Sequence, residues 1–88
     1  MRETIKDDGQ AVALQAIVWI LAEASRAERF LALTGLVPED LRTRIADPVV
    51  LDAALGFLEG HQPDFIACAD ALGLSPERLA AARGALSS

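Results

Sequence analysis

Few side chains in this sequence are of the types that usually do chemistry, and they do not cluster along the chain. His61 is the only histidine, and it stands in the Gly60-His61-Gln62-Pro63 connection. A general base needs a nucleophile or a substrate proton within hydrogen-bonding reach, and a metal site needs further ligands. Asp64 is near in sequence, but it does not by itself complete either kind of site. We therefore interpret His61 as an exposed loop residue.

Cys68 is the only cysteine, and its neighbours in a helix would be Phe65, Ile66, Ala69 and Leu72. A reactive thiolate needs a positively charged and partly exposed setting, whereas this one is apolar and acidic. We expect Cys68 to be a small core residue. A single cysteine also excludes an intrachain disulfide and a structural zinc site built from several cysteines.

Six of the 13 carboxylates lie where helices are expected to begin, at Glu28, Glu39, Asp40, Asp47, Asp64 and Glu77. At a helix start they interact favourably with free N–H groups and with the helix dipole, which explains their positions without acid–base catalysis. No glycine-rich phosphate loop, nucleophile elbow or paired metal-ligand motif occurs in the sequence. The sequence therefore predicts a protein that is not an enzyme, with no catalytic, cofactor-binding or metal-binding residues.

Proline, glycine and short polar residues divide the chain into six short predicted helices. Strands are not expected, because the segments between these residues show almost no alternation of β-branched or aromatic side chains. The first helix is predicted at about 9–24, and a capping box formed by Ser25 and Glu28 is predicted to begin the second. The other predicted boundaries are Gly35, Pro38, Asp47-Pro48, Gly60, Pro63, Gly73 and Ser75-Pro76. We predict an all-α protein, a compact orthogonal or irregular bundle of five to six short helices, with a flexible N-terminus at 1–8 and a single helical domain at 9–88.

Two of the predicted helices, the first and the fourth, are more apolar than helices on the outside of a bundle. The first has one apolar stripe at Leu14, Ile17, Val18 and Leu21, and a second, on roughly the opposite side, at Val12, Ala16, Trp19 and Ile20. A helix that is apolar all round is normally buried, so both helices could lie centrally beneath the others. Alternatively, the second stripe forms an interface with another protein or with a second copy of the chain.

A pattern repeats between residues 30–41 and 68–79, in which glycine ends a helix, leucine follows, and Pro-Glu begins the next helix. The second copy is also similar to a DNA-binding helix-turn-helix motif. The exposed residues of its second helix would be Pro76, Glu77, Arg78, Ala80 and Ala81. This set has one side chain of the kind that reads base edges and phosphates, so the pattern favours a structural corner.

The net charge of −5 opposes nonspecific binding to nucleic acids and to anionic membranes. The mildly basic stretch 26–45 contains Arg26, Arg29, Arg42 and Arg44, which a degenerate helix-turn-helix regulator could use to contact phosphates. The longest apolar stretch has 12 residues, fewer than the roughly 20 of a membrane span. The acidic N-terminus is not typical of a signal peptide, so we expect a cytoplasmic protein.

Four segments, ALQAIVWILAE (13–23), ERFLALTGLVPEDLRTR (28–44), DPVVLDAALGFL (47–58) and GLSPERLAAARGAL (73–86), resemble the domain of unknown function 3572 family of small helical bacterial proteins. The resemblance implies a free-standing helical domain, and it implies no activity, cofactor or site residue. Our leading interpretation is a non-enzymatic module that binds another protein or itself. A degenerate helix-turn-helix regulator that binds nucleic acid is the alternative.

Overall fold

The computed structural model describes residues 4–87, and side chains from 9 to 86, as a bundle of six α-helices. The helices are α1 (Thr4–Leu21), α2 (Ala24–Thr34), α3 (Pro38–Arg44), α4 (Pro48–Glu59), α5 (Gln62–Ala71) and α6 (Pro76–Ser87). The described residues contain no strand, and the predicted all-α fold is confirmed. The N-terminal stretch predicted to be flexible, 1–8, lies partly outside the described residues, and α1 begins within it.

The starts of α4 and α6 are capped as the sequence predicts. The Asp47 carboxylate accepts a hydrogen bond from the backbone N–H of Val49 at 2.8 Å. The Ser75 hydroxyl accepts one from the backbone N–H of Arg78 at 3.1 Å. Each bond satisfies an N–H group that has no partner within its own helix.

The start of α2 differs from the prediction, and the expected capping box of Ser25 and Glu28 does not form. Glu23 is the residue at the N-cap, and its side chain caps no backbone group. Its carboxylate instead pairs with Arg26, at 3.1 Å. Arg26 also donates a hydrogen bond to the backbone carbonyl of Trp19 in the last turn of α1. This bond satisfies a carbonyl at the end of α1, so α1 ends and α2 begins before the predicted positions.

The repeated glycine pattern forms two helical corners that end differently. Gly35 and Gly73 both have left-handed backbone angles, with φ values of 77° and 71°. At the second corner the N–H groups of Gly73 and Leu74 donate back to the carbonyls of Asp70 and Ala69, which is a Schellman motif. At the first corner Gly35 makes the single bond of the αL motif, to the Leu31 carbonyl. The shared sequence pattern therefore predicts the turn but not its hydrogen bonds.

Helices α1 and α4 lie at the centre of the bundle, as their composition predicts. Both pack against α2, α5 and α6 as well as against each other. Their fully buried residues include Ala13, Ala16, Ile17 and Ile20 in α1 and Val50, Leu51, Ala54 and Leu58 in α4. The ring of Phe30 in α2 meets that of Phe57 in α4 edge to face, with centroids 5.3 Å apart.

Two glycines allow α6 to approach the central helices. A Cβ at Gly9 in α1 would lie 2.6 Å from the Cβ of Ala85, so only glycine fits at this contact. Gly56 in α4 lies beneath the guanidinium of Arg83. That guanidinium bonds to Asp52 at 2.8 Å on one side and to Glu59 at 2.7 Å on the other. Arg83 therefore links α6 to two positions of α4 that are about two helical turns apart.

Candidate functional site

Cys68 lies in the core, as predicted, and its side chain is fully buried. Burial raises the pKa of the thiol to about 11, although the nearby charge of Arg26 lowers it and that of Asp64 raises it. The group is a thiol at neutral pH, and the thiolate is the form that reacts. These properties are those of a packing residue.

His61 is exposed, as predicted, at the N-cap of α5. Its Nδ1 lies 3.2 Å from an oxygen of Asp64, and the same oxygen accepts a hydrogen bond from Arg29. The imidazole borders a depression of about 370 Å³ between α2 and α4. The depression is lined by Arg29, Leu33, Thr34, Gly56, Phe57, Gly60 and His61, a set that includes no carboxylate. Among the described residues, no three His, Cys, Asp or Glu side chains are placed to hold a metal ion.

The four arginines that a nucleic-acid-binding protein could use, at positions 26, 29, 42 and 44, each form an ion pair with a carboxylate. Arg26 pairs with Glu23, and Arg29 with Asp64. The two in α3 pair within their own part of the chain, Arg42 with Glu39, and Arg44 with Asp40 and Asp47. Pairing reduces the net positive charge that these side chains can present to a phosphate backbone.

Helix α6, the second helix of the helix-turn-helix pattern, exposes a small and weakly charged face. Four of its predicted surface residues, Glu77, Arg78, Ala80 and Ala81, are exposed, and Pro76 is half-buried. Leu79 and Ala82 are buried on the opposite side of the helix. Short alanine side chains cannot reach base edges, so the geometry gives no specific support to nucleic-acid binding.

The interface predicted on α1 is corrected in three of its four residues. Ala16 and Ile20 are fully buried and Val12 is 7% exposed, so these side chains pack inside the chain and are not available to a partner. The physical reason is that α1 is covered by other helices on this side, among them α6, which packs on it at Gly9. Trp19 alone of the four is half-buried at the surface.

Trp19 instead forms part of a groove between the second half of α1 and the end of α5. We call this feature the Trp19 groove. It has a volume of about 510 Å³, and it is lined by Leu14, Gln15, Val18, Trp19, Ala22, Ala71 and Leu72. None of these side chains is titratable, and Val18 is 60% exposed. The groove takes residues from both apolar stripes of α1, which is why helical periodicity did not identify it.

Arg26 holds the indole ring that forms one wall of the groove. Its guanidinium carbon lies 3.6 Å from the centroid of the Trp19 ring, a close cation–π contact. The same side chain donates to the Trp19 carbonyl and pairs with Glu23. Ring and backbone are thus held by one partner, so the groove wall is ordered before anything binds to it.

The described residues form a small six-helix bundle with an open apolar groove on one side. The family model described as "Protein of unknown function (DUF3572)" matches residues 6–88, nearly the whole chain. The chain belongs to this family, and the resemblance seen in its sequence is confirmed. No curated protein and no solved structure matches the chain significantly. Among the described helices, none combines the length and the hydropathy needed to cross a membrane.

Proposed function

We propose that this chain is a non-enzymatic interaction module of the bacterial cytoplasm, and that the Trp19 groove holds apolar side chains of a partner protein. The observation that carries the proposal is an open groove whose lining residues are almost all apolar. A contiguous exposed apolar patch, as distinct from single exposed apolar side chains, is the kind of surface that marks an interaction site. Covering Val18 would contribute favourable free energy to binding, because 60% of this apolar side chain faces solvent.

The lining of the groove favours binding over catalysis. Acid–base and nucleophilic catalysis need a titratable or nucleophilic side chain at the site, and the groove has none. Trp19 is of the residue type that most often dominates the energy of protein interfaces. Because Arg26 already orders the indole, binding costs less conformational entropy there than at a mobile tryptophan.

Photo-crosslinking from the groove in the host cell tests this function. Val18 is replaced by the photo-reactive residue benzoylphenylalanine in one variant, and Val49 in a matched control. Val49 is 66% exposed on α4 and does not line the groove, so the two positions differ in location and hardly in exposure. We expect a discrete crosslinked protein from position 18 that is absent from position 49.

A second substitution makes the result specific to the groove. Ala22→Lys introduces a long, positively charged side chain into the apolar lining at an exposed position, where it should not disturb the core. In the background of this variant, the adduct from position 18 should disappear. The same adducts from both positions, or none from position 18, would contradict the proposed function.

A further inference from the structure

We propose that the occupant of the Trp19 groove is a basic amphipathic helix of another protein and not a second copy of this chain. This inference rests on the proposed function, and it adds the shape and the charge of the partner. Three features of the described residues lead to it: the dimensions of the groove, the small side chains along it, and the balance of paired and unpaired charges around it.

The groove is too small to be the whole contact surface of a stable homodimer. Seven residues line it, whereas a stable protein–protein interface takes about 20–30 residues from each partner. A short segment that inserts a few apolar side chains needs much less surface, as in complexes where one helix lies in a groove. The size of the groove therefore favours a segment over a copy of the whole domain.

The lining of the groove suits a helix. Its first five residues run from Leu14 in α1 to Ala22, directly after the end of that helix, which is about 12 Å or two turns at the rise of a helix. Apolar side chains at positions i, i+4 and i+7 of a partner helix also span about two turns, so such a helix could place all three of them in the groove. Ala22 and Ala71 are small, and small side chains allow another helix to come close.

An unpaired carboxylate, that of Asp70, directly precedes the groove residue Ala71 in the chain. Five arginines of the described chain are ion-paired to carboxylates, at positions 26, 29, 42, 44 and 83. Asp70 is exposed, and it is ion-paired to none of the described residues. Asp70 lies in the last turn of α5, directly before the groove residue Ala71.

The end of α5 adds to this negative potential at the groove. No basic residue of α5 occupies its last turn, so the helix itself supplies no counter-charge to the negative end of its dipole. A segment rich in lysine or arginine would be attracted to this edge, whereas a second copy with a net charge of −5 would be repelled.

Trp19 is the only tryptophan in the chain, so its fluorescence reports directly on the groove. Two synthetic helical peptides without tryptophan serve as probes, with the same leucine stripe and with either lysine or glutamate at all polar positions. At low salt the lysine peptide should change the Trp19 emission and bind about tenfold more tightly than the glutamate peptide. The difference should shrink as salt is added, because salt screens exposed charges.

Substitutions in the chain test whether the preference for the lysine peptide arises at Asp70. Asp70→Asn should weaken binding of the lysine peptide about two- to fivefold, and Glu77→Gln, in the first turn of α6, should leave it unchanged. Val18→Ser should weaken binding of both peptides, because it removes apolar surface from the groove wall and leaves the charges in place.

Three other outcomes would overturn the inference, and each identifies which part of it is wrong. Binding of the glutamate peptide as tightly as the lysine peptide would overturn the charge of the partner and leave the proposed function standing. A homodimer in sedimentation equilibrium at high micromolar concentration, converted to monomer by Val18→Ser, would show that the occupant is a second copy. If neither peptide affects Trp19, the helical partner is contradicted, and the photo-crosslinking experiment decides separately whether the groove binds a protein.

Discussion

At the scale of single residues, Arg26 connects three parts of the molecule: the end of α1, the start of α2 and the wall of the Trp19 groove. Its side chain is only 17% exposed, and it stacks on Trp19, donates to the Trp19 carbonyl and pairs with Glu23. The partners are all within a few residues of the break between the two helices. Arg26 therefore has a larger structural role than an arginine in a surface ion pair.

Replacing Arg26 tests this role. Arg26→Met should lower the free energy of unfolding by about 1–2 kcal/mol, since it removes a cation–π contact and a hydrogen bond made by a charged group. The fluorescence anisotropy of Trp19 should fall as the ring gains freedom. Arg42→Met is the control, because Arg42 is in an exposed pair with Glu39 and should contribute less than about 1 kcal/mol. If both variants lose the same free energy of unfolding and the anisotropy of Trp19 does not change, the proposed role of Arg26 is contradicted.

Cys68 makes stability depend on pH in the alkaline range. Its pKa is about 11 in the folded chain, above the ordinary value of 9.0, so between these values the folded state binds more protons than the unfolded state. The contribution of the Cys68 thiol to the free energy of unfolding is therefore fully present below pH 9 and is lost as the pH rises through 11. Few other groups titrate there, since the chain has no tyrosine and Lys6 is its only lysine.

We expect urea denaturation between pH 8 and 11 to show a falling free energy of unfolding, by an amount on the order of 2 kcal/mol. Cys68→Ala should be less stable at pH 8 and should show a much flatter pH profile. A thiol reagent should react slowly with the native chain at pH 8 and rapidly once urea unfolds it. Fast labelling of the native chain would contradict the burial of this thiol.

At the scale of helices, the contact between α4 and α6 depends on a glycine and an arginine together. Hydrogen bonds to Asp52 and Glu59 raise the pKa of Arg83 above its ordinary value, so the side chain stays charged. Gly56 lies beneath the guanidinium, and a Cβ at this position would approach its atoms to 3.2–3.3 Å. An alanine would favour the helix by about 1 kcal/mol, but the Arg83 guanidinium would have to shift by a few tenths of an ångström, which strains its bonds to Asp52 and Glu59.

A double-mutant cycle separates these two effects. Gly56→Ala should stabilise the chain by about 1 kcal/mol when Arg83 is also replaced by alanine, because only helix propensity then changes. In the presence of Arg83 the same substitution should be neutral or destabilising. Urea denaturation of the four variants measures the coupling between the two positions. Additive effects of the two substitutions would show that Arg83 does not depend on the glycine.

Helix boundaries could be predicted wherever a residue supplies the chemistry that ends or begins a helix. Asp47 and Ser75 cap helices with their own side chains, and Gly35 and Gly73 adopt angles that other residues avoid. The break between α1 and α2 has no such local signal. It depends on a contact between Arg26 and Trp19, and short-range rules do not include contacts of this kind.

The groove could be predicted only in part, for a related reason. Periodicity shows that α1 has two apolar stripes, but it does not show which neighbouring helix covers each of them. Helices α4 and α6, distant in sequence, both pack on α1, where Ala16 and Ile20 are fully buried and Val18 is exposed. Trp19 was identified as a candidate, and Leu14, Gln15, Ala71 and the rest of the lining were not.

At the scale of the whole molecule, three properties combine: a bundle centred on α1 and α4, a net charge of −5, and an open apolar groove on one side. Among the described residues, the four arginines at positions 26, 29, 42 and 44 are ion-paired, which reduces the positive charge that they can present to phosphates. In the proposed interaction with a basic helix, the groove supplies the apolar contact and the carboxylate of Asp70 supplies the charge.

The most direct test of this account is an NMR titration of the ¹⁵N-labelled chain with the purified protein captured at position 18. We predict that the largest changes in amide chemical shift occur in residues 14–22 and 71–72, and that Val18→Ser abolishes them while Val49→Ser has no effect. Changes centred on the depression beside His61 or on the exposed face of α6, or no changes at all, would contradict the assignment of the Trp19 groove as the binding site.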